Sequence, residues 1–164
     1  MFIKAKMALK RGYSLQDKYK LFMLAAYTSR PKLRPILKPV YSSFLSNGEI
    51  KLRLSIREKG PVVNIILRDE HFFSDYLSMT EVIIDNCYLL PIRITPDLIV
   101  DGGSNSGLFS VLCNIIYPGK TIHAFEPMPD NYNRLRRNIE ANGCTNVPSI
   151  PGYERSPSAF HATS

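Results

Sequence analysis

The chain has 164 residues, 45% of them hydrophobic and 21% charged, a composition that excludes disordered, collagenous and disulfide-scaffold classes and gives enough length for a sizeable core. Its three cysteines, Cys87, Cys113 and Cys144, are widely spaced with no CxxC, which suits a reducing compartment and excludes a cysteine-based zinc site, so no metal is expected. The formal charge is +7, placed unevenly: residues 1–60 carry 14 Lys/Arg against three acids, while residues 61–164 carry 7 against 11.

The basic first third would suit nucleic acid or an anionic membrane surface, but no aromatic and basic residues interleave in a nucleic-acid motif. A solvated basic face is therefore expected, with no nucleic acid and at most weak association with a membrane surface. Met1 to Lys10 lacks the apolar core of a secretory signal. The longest apolar run, Leu108 to Tyr117, is interrupted by Ser110 and Asn114 and falls short of the roughly 18 residues a spanning helix requires. A cytoplasmic location is expected.

In chain order, Ser14 with Asp17 resembles a capping box, and Leu15, Tyr19, Phe22, Met23, Ala26 and Tyr27 follow helical spacing, which predicts a helix over 15–27 with that stripe in the core or at a subunit contact. Prolines at 31, 35 and 39 argue against a helix over 30–39 and for an extended linker, out of register for a PxxP ligand. Lys51 to Arg57 alternates, with Leu52, Leu54 and Ile56 on one face; Glu58-Lys59-Gly60-Pro61 supplies a turn and Val62 to Leu67 a second strand, hence a hairpin. A helix is expected around Ser74 to Ile84.

Leu98-Ile99-Val100, ending in Asp101, has the wholly apolar character of a parallel strand buried on both faces. Gly102-Gly103-Ser104-Asn105-Ser106-Gly107 then leads into a helical stripe of Leu108, Val111, Leu112 and Ile115, stopped by Pro118-Gly119. Thr121 to Phe125 is a second strand ending in Glu126. Pro129 opens a further helix in which Tyr132, Leu135 and Ile139 face inward and which Gly143 ends. Strand, helix, strand, helix is the opening of a doubly wound α/β sheet with a right-handed crossover.

The glycine turn is the candidate ligand site, because such sheets bind nucleotides at the carboxyl ends of their strands. Its glycines do not fit the 1, 3, 6 spacing of a dinucleotide fingerprint. The pattern is Asp101-x-Gly103-x-x-x-Gly107. A leading carboxylate repels a pyrophosphate but attracts an ammonium group. S-adenosylmethionine carries one, which Asp101 would meet directly or through water, with the ligand carboxylate near the following helix N-terminus. Glu126, 25 residues on at the end of the next strand, would accept hydrogen bonds from ribose hydroxyls. A reading of Gly103 and Gly107 as tight-turn residues and of Glu126 as a surface charge stays open beside this one. His123, inside a strand, is expected to pack in the core; His71 and His161 show no partner, so no general base is named.

The stretches VDGGSNSGLFS and IHAFEPMPDNYNRLRRNIEANG resemble the cofactor-binding core of the FkbM-type methyltransferases. The matching residues are Asp101, Gly103, Asn105, Gly107, Glu126, Pro127, Asn131, Leu135, Asn138 and Asn142, with Ser104 in place of the usual alanine. The resemblance is specific over about residues 97–147 and extends more weakly to Asp85–Tyr88. It implies an S-adenosylmethionine-dependent methyltransferase whose cofactor cleft is lined by Asp101, Gly103, Ser104, Asn105, Gly107, Glu126 and Pro127. It also implies methyl transfer to an oxygen of a small-molecule or glycan acceptor.

The fold class expected is α/β, a Rossmann-like methyltransferase fold, incomplete and preceded by an α+β N-terminal extension. Its parts are a basic helix and Pro-rich linker over 1–45, an extension with the hairpin over 46–95, the partial core over 96–147 and a disordered tail over 148–164. From Asp101 onward there is room for about two βα units, against seven strands in a complete sheet of the family, so a shortened member is expected. The competing expectation is a catalytically inactive remnant that acts at most as an interaction module.

Overall fold

The computed structural model describes residues 10–57, 60–88 and 94–151. Helix α1, Leu15–Ser29, opens on the predicted capping box: the Asp17 N–H donates to Ser14 Oγ and the Ser14 N–H donates back to Asp17 Oδ2, both at 3.1 Å. The buried face of α1 is Asp17, Leu21 and Leu24, whereas Leu15, Tyr19 and Phe22 are exposed. The stripe read from the sequence is therefore displaced around the helix. The cause is Asp17, which faces the neighbouring strand and receives the backbone N–H of Arg53 at 3.1 Å, turning the expected core residues outward.

The Pro-rich stretch is helical rather than extended: a 3-10 turn over Pro31–Leu33 runs into helix α2, Arg34–Ser43. Pro31 and Pro35 sit in first turns, where a backbone N–H has no intrahelical acceptor anyway. Only Pro39 is interior, and its cost is offset by an aromatic cluster that fixes the two helices together. Tyr27 and Tyr41 stack at 4.6 Å between ring centroids, Tyr41 packs edge-on against Phe72 at 5.0 Å, and the Tyr41 hydroxyl donates to Asp69 at 2.6 Å.

Strands β1, Glu49–Ser55, and β2, Val62–Arg68, form the expected antiparallel hairpin, with Leu52 opposite Ile65 and Leu54 opposite Val63 on its buried face. Glu58 and Lys59 of the turn lie outside the described residues. A two-stranded sheet leaves two open edges; here side chains cover that of β2, and a side chain together with the main chain before α1 covers that of β1. Along β2 the N–H groups of Asn64, Ile66 and Arg68 donate to Asn142 Oδ1 at 2.8 Å, Asn138 Oδ1 at 3.1 Å and Asp75 Oδ2 at 2.9 Å. Along β1, Asp17 takes the Arg53 N–H, and the Tyr13 N–H donates to the Arg53 carbonyl at 3.0 Å.

Helix α3, Phe72–Met79, starts two residues before the predicted segment and widens into a π turn over Thr80–Ile84. The rest alternates strand and helix: β3 (Leu98–Gly102), α4 (Leu108–Ile116), β4 (Thr121–Glu126), α5 (Pro129–Ala141) and β5 (Ser149–Pro151). All three strands are parallel in the order β3-β4-β5. The chain is thus α/β, an incomplete Rossmann-like sheet preceded by the hairpin and its helices.

Two expectations for this sheet are corrected. Residues 149–151 are a strand rather than the start of a patternless tail; residues 152–164 lie outside the described residues. Prolines are tolerated there because β5 is an edge strand that gives carbonyls inward, the Pro148 carbonyl accepting the Ala124 N–H at 3.1 Å. Among the described residues the sheet is also covered on one face only. Ile122 and Ala124 are fully buried under α4 and α5, whereas Leu98, Val100 and Phe125 on the other face are 52%, 60% and 40% exposed. His123 lies half-buried on that open face beside Phe125 instead of in the core.

The hairpin is bolted to the sheet through α5. Glu49 is buried and receives Arg134 Nη1 at 2.7 Å and Arg137 Nη2 at 2.8 Å. Among the described residues no helix is long and apolar enough to cross a membrane.

Candidate functional site

Strand β3 delivers Asp101 to the edge of the glycine turn. The turn folds back because the N–H groups of Gly103 and Ser104 both donate to the Phe125 carbonyl at 2.9 Å, and the Gly107 N–H donates to the Ser104 carbonyl at 2.7 Å. Ser104, where the resembled family has alanine, directs its one hydroxyl proton between two carbonyls, that of Asp101 at 2.8 Å and that of Phe125 at 3.2 Å. It stitches the ends of β3 and β4 together. Asn105 adopts a left-handed conformation, φ 49°, which asparagine tolerates better than most residues. Its N–H donates to Glu126 Oε2 at 2.7 Å.

Glu126 is consequently not a surface charge. It is 4% exposed, and its other oxygen, Oε1, accepts the Met128 N–H at 2.9 Å. With two N–H groups engaged, a carboxylate retains further lone pairs for a ligand. Asp101 is turned toward α4, where Oδ2 accepts the Ser110 hydroxyl at 2.6 Å. Burial holds its carboxyl above the ordinary carboxylate range, the Ser110 and Ser104 hydroxyls draw it partly back, and the nearby Glu126 charge pushes it further up.

A cavity of about 360 Å³ opens over the turn. It brings together Asp101, Gly103, Ser104 and Asn105 of the predicted residues; Gly107, Glu126 and Pro127 do not line it. Gly107 lies beneath the turn against α5, Glu126 is tied in through Asn105, and Pro127 is exposed. The other wall comes from α3 and the π turn, through Ser78, Glu81 and Val82. Ser78 reaches the turn directly, its Oγ accepting Asn105 Nδ2 at 3.2 Å. Sequence reading missed Ser78, Glu81 and Ser110, since contacts across 9–27 residues of chain leave no local pattern. A larger cavity, about 780 Å³, lies on the open side of β3 and holds none of the predicted residues. Tyr88 and Phe109, ring centroids 4.9 Å apart, line both. The smaller cavity is the candidate site because the charged and polar groups converge there.

The chain is similar in sequence to curated methyltransferases. Methyltransferase 1 of Beauveria bassiana is 37% identical over 67 residues, 41% of this chain and 27% of that protein. The 31-O-demethyl-FK506 methyltransferase FkbM of Streptomyces tacrolimicus is 40% identical over 60 residues, 35% of this chain and 23% of that one. Methyltransferase sdnD of Sordaria araneosa is 42% identical over 62 residues, 38% and 24%. The expected resemblance to FkbM and other methyltransferases is thus found. The chain spans about a quarter of the length of these relatives. No family model matches. Among solved structures, M. jannaschii TYW2 with AdoMet superposes at a TM-score of 0.40, 19% identity, 66% of this chain and 45% of that one. P. horikoshii TYW2 with MeSAdo superposes at 0.43, 18% identity, 77% and 52%.

The state of Asp101 has a measurable consequence. Because burial raises its folded pKa above the unfolded value, the folded chain binds the proton more tightly between the two. Stability from this group is therefore present at low pH and lost as pH rises from about 4 through the folded pKa. Urea midpoints measured from pH 4 to 7 should carry this falling component in the parent chain and lack it in Asp101→Asn. Identical pH dependence in the two would show that Asp101 titrates normally.

Proposed function

We propose that this chain carries the cofactor-binding half of an S-adenosylmethionine-dependent methyltransferase acting on a hydroxyl of a small-molecule or glycan acceptor. The observation that carries the reading is the bond from the Asn105 N–H to Glu126, which locks an acid-led glycine turn and a second acid at adjacent parallel strand ends. The residues fit the group. A Cβ built on Gly102 or Gly103 meets nothing within 4 Å, so the space above the turn is free for a ligand backed closely by main chain. Asp101, on the cavity wall, supplies negative charge toward an ammonium group, and Glu126, behind that wall and joined to it through Asn105, retains lone pairs toward ribose hydroxyls.

When bound, the cofactor supplies an activated methyl on a sulfonium, so the protein's task is chiefly orientation. Asn105, tethered to Ser78 and Glu126, fixes the turn; Tyr88 and Phe109 separate the cofactor cavity from the apolar space on the open side of β3, where an acceptor would approach. Among the described residues no histidine faces the cavity, and none is assigned as base.

Isothermal titration of the whole chain with S-adenosylhomocysteine tests the reading. Binding is expected, weakened by about 1–3 kcal/mol in Glu126→Gln, because an amide offers one acceptor to groups that the carboxylate serves with two. No heat from the folded chain at millimolar ligand would instead leave the remnant reading.

A further inference from the structure

Asn138 lies in the middle of α5, outside both cavities, and is fully buried. A primary amide sealed from water must satisfy an acceptor and a donor. The two halves of this one go to separate parts of the molecule. Oδ1 accepts the N–H of Ile66 on the β2 edge at 3.1 Å, and Nδ2 donates to the carbonyl of Ser106 in the glycine turn at 2.8 Å. Ser106 is itself buried, and it stands between the residue whose N–H meets Glu126 and the residue that starts α4.

We infer that Asn138 is the positioning residue of the glycine turn, coupling the turn's geometry, and with it cofactor affinity, to the docking of the N-terminal hairpin. This inference rests on the cofactor reading of the turn. One residue cannot serve both groups unless the turn and the hairpin are in place together. Without the amide the Ser106 carbonyl and the Ile66 N–H are both buried and unpaired, so neither segment settles alone. The hairpin is then part of the site's support rather than a separate extension. Asn142, one turn further along α5, provides the internal comparison: it caps the same strand edge at Asn64 through Oδ1, while Nδ2 donates to the carbonyls of Asn64 and Asn138, and it bonds nothing in the turn.

Amide hydrogen exchange on the whole chain without ligand tests the coupling independently of any cofactor. Asn138→Ser should speed exchange at Gly103, Asn105, Gly107 and Ile66 at least tenfold beyond the change in globally protected amides. Asn142→Ala should do so at Asn64 and leave the turn as in the parent chain. In the parent chain, saturating S-adenosylhomocysteine should slow exchange at Ile66 more than at Asn64, and Asn138→Ser should bind it at least tenfold more weakly. Turn amides that follow global stability equally in both variants would overturn the coupling, as would equal ligand protection of Ile66 and Asn64. If Asn138→Ser fails to fold, Asn138→Asp is read in the same way: it keeps an acceptor for Ile66, while its carboxylate leaves the Ser106 carbonyl without a donor and adds a buried charge. Failure of the parent chain to bind the ligand would sink the cofactor reading alone, since exchange in the free chain still decides the coupling.

Discussion

Asp75→Ala is expected to destabilise the chain by about 3–5 kcal/mol, because it strands a buried guanidinium. Asp75 is 1% exposed and holds Arg68, 4% exposed, through both oxygens: Oδ1 to Nη2 at 2.6 Å and Oδ2 to Nε at 3.0 Å. Oδ2 also takes the Arg68 backbone N–H, so the carboxylate closes the last open position on the β2 edge. The Arg68 guanidinium is held charged beyond its ordinary value, chiefly by the hydrogen bond to Asp75. Its Nη1 has no hydrogen-bond partner among the described residues, and the Glu70 and Asp130 charges act on the guanidinium only from a distance. Urea denaturation should show the midpoint falling with an unchanged slope. Arg68→Met combined with Asp75→Leu should lose less, because it removes both charges together and leaves only the Arg68 backbone N–H without its acceptor. A single-variant loss below about 1 kcal/mol would mean that water reaches Arg68. The effect extends to the site, since α3, which carries Asp75, also carries Ser78 to the glycine turn.

Gly107→Ala is expected to cost about 2–4 kcal/mol, from two causes that act at one atom. Gly107 has φ +77°, in the left-handed region, and a Cβ there would strike Leu135 Cδ1 while lying 3.2 Å from Leu135 Cα. The second neighbour is backbone in the middle of α5 and cannot swing aside. Gly103 provides the contrast: φ is +82°, yet a Cβ meets nothing within 4 Å. Gly103→Ala should lose only about 1–2 kcal/mol of stability, from the backbone alone, while placing a methyl in the space assigned to the cofactor. Chemical denaturation of both variants, with S-adenosylhomocysteine titration of Gly103→Ala, checks the pair. Equal destabilisation would show that α5 yields to the methyl at Gly107.

Much of the site was legible because its signal is local. An apolar run, an acid, glycines four apart and a helical stripe all fall within Leu98–Ile116, and Glu126 ends the next run. The structure brings the turn residues Asp101, Gly103, Ser104 and Asn105 to one cavity and joins Glu126 to them by a hydrogen bond. What was not legible is what the acids do in the protein itself. Asp101 binds Ser110 through Oδ2 and Glu126 binds two backbone N–H groups, because a buried carboxylate needs hydrogen-bond partners. Sequence spacing identifies the acids but not their protein partners.

The alternation of Leu52, Leu54 and Ile56, the Ser14 cap and the βαβα order were determined by the sequence by itself, since each follows from backbone geometry over a few residues. Tertiary structure decided the rest. It placed Leu21 and Leu24 in the core in preference to Leu15 and Phe22, because Asp17 had a strand N–H to satisfy. It folded Pro31–Ser43 into helices, because aromatic packing outweighed one missing hydrogen bond. It gave Asn138 its double role, because only the meeting of α5, the hairpin and the turn makes one buried amide answer to two distant backbone groups.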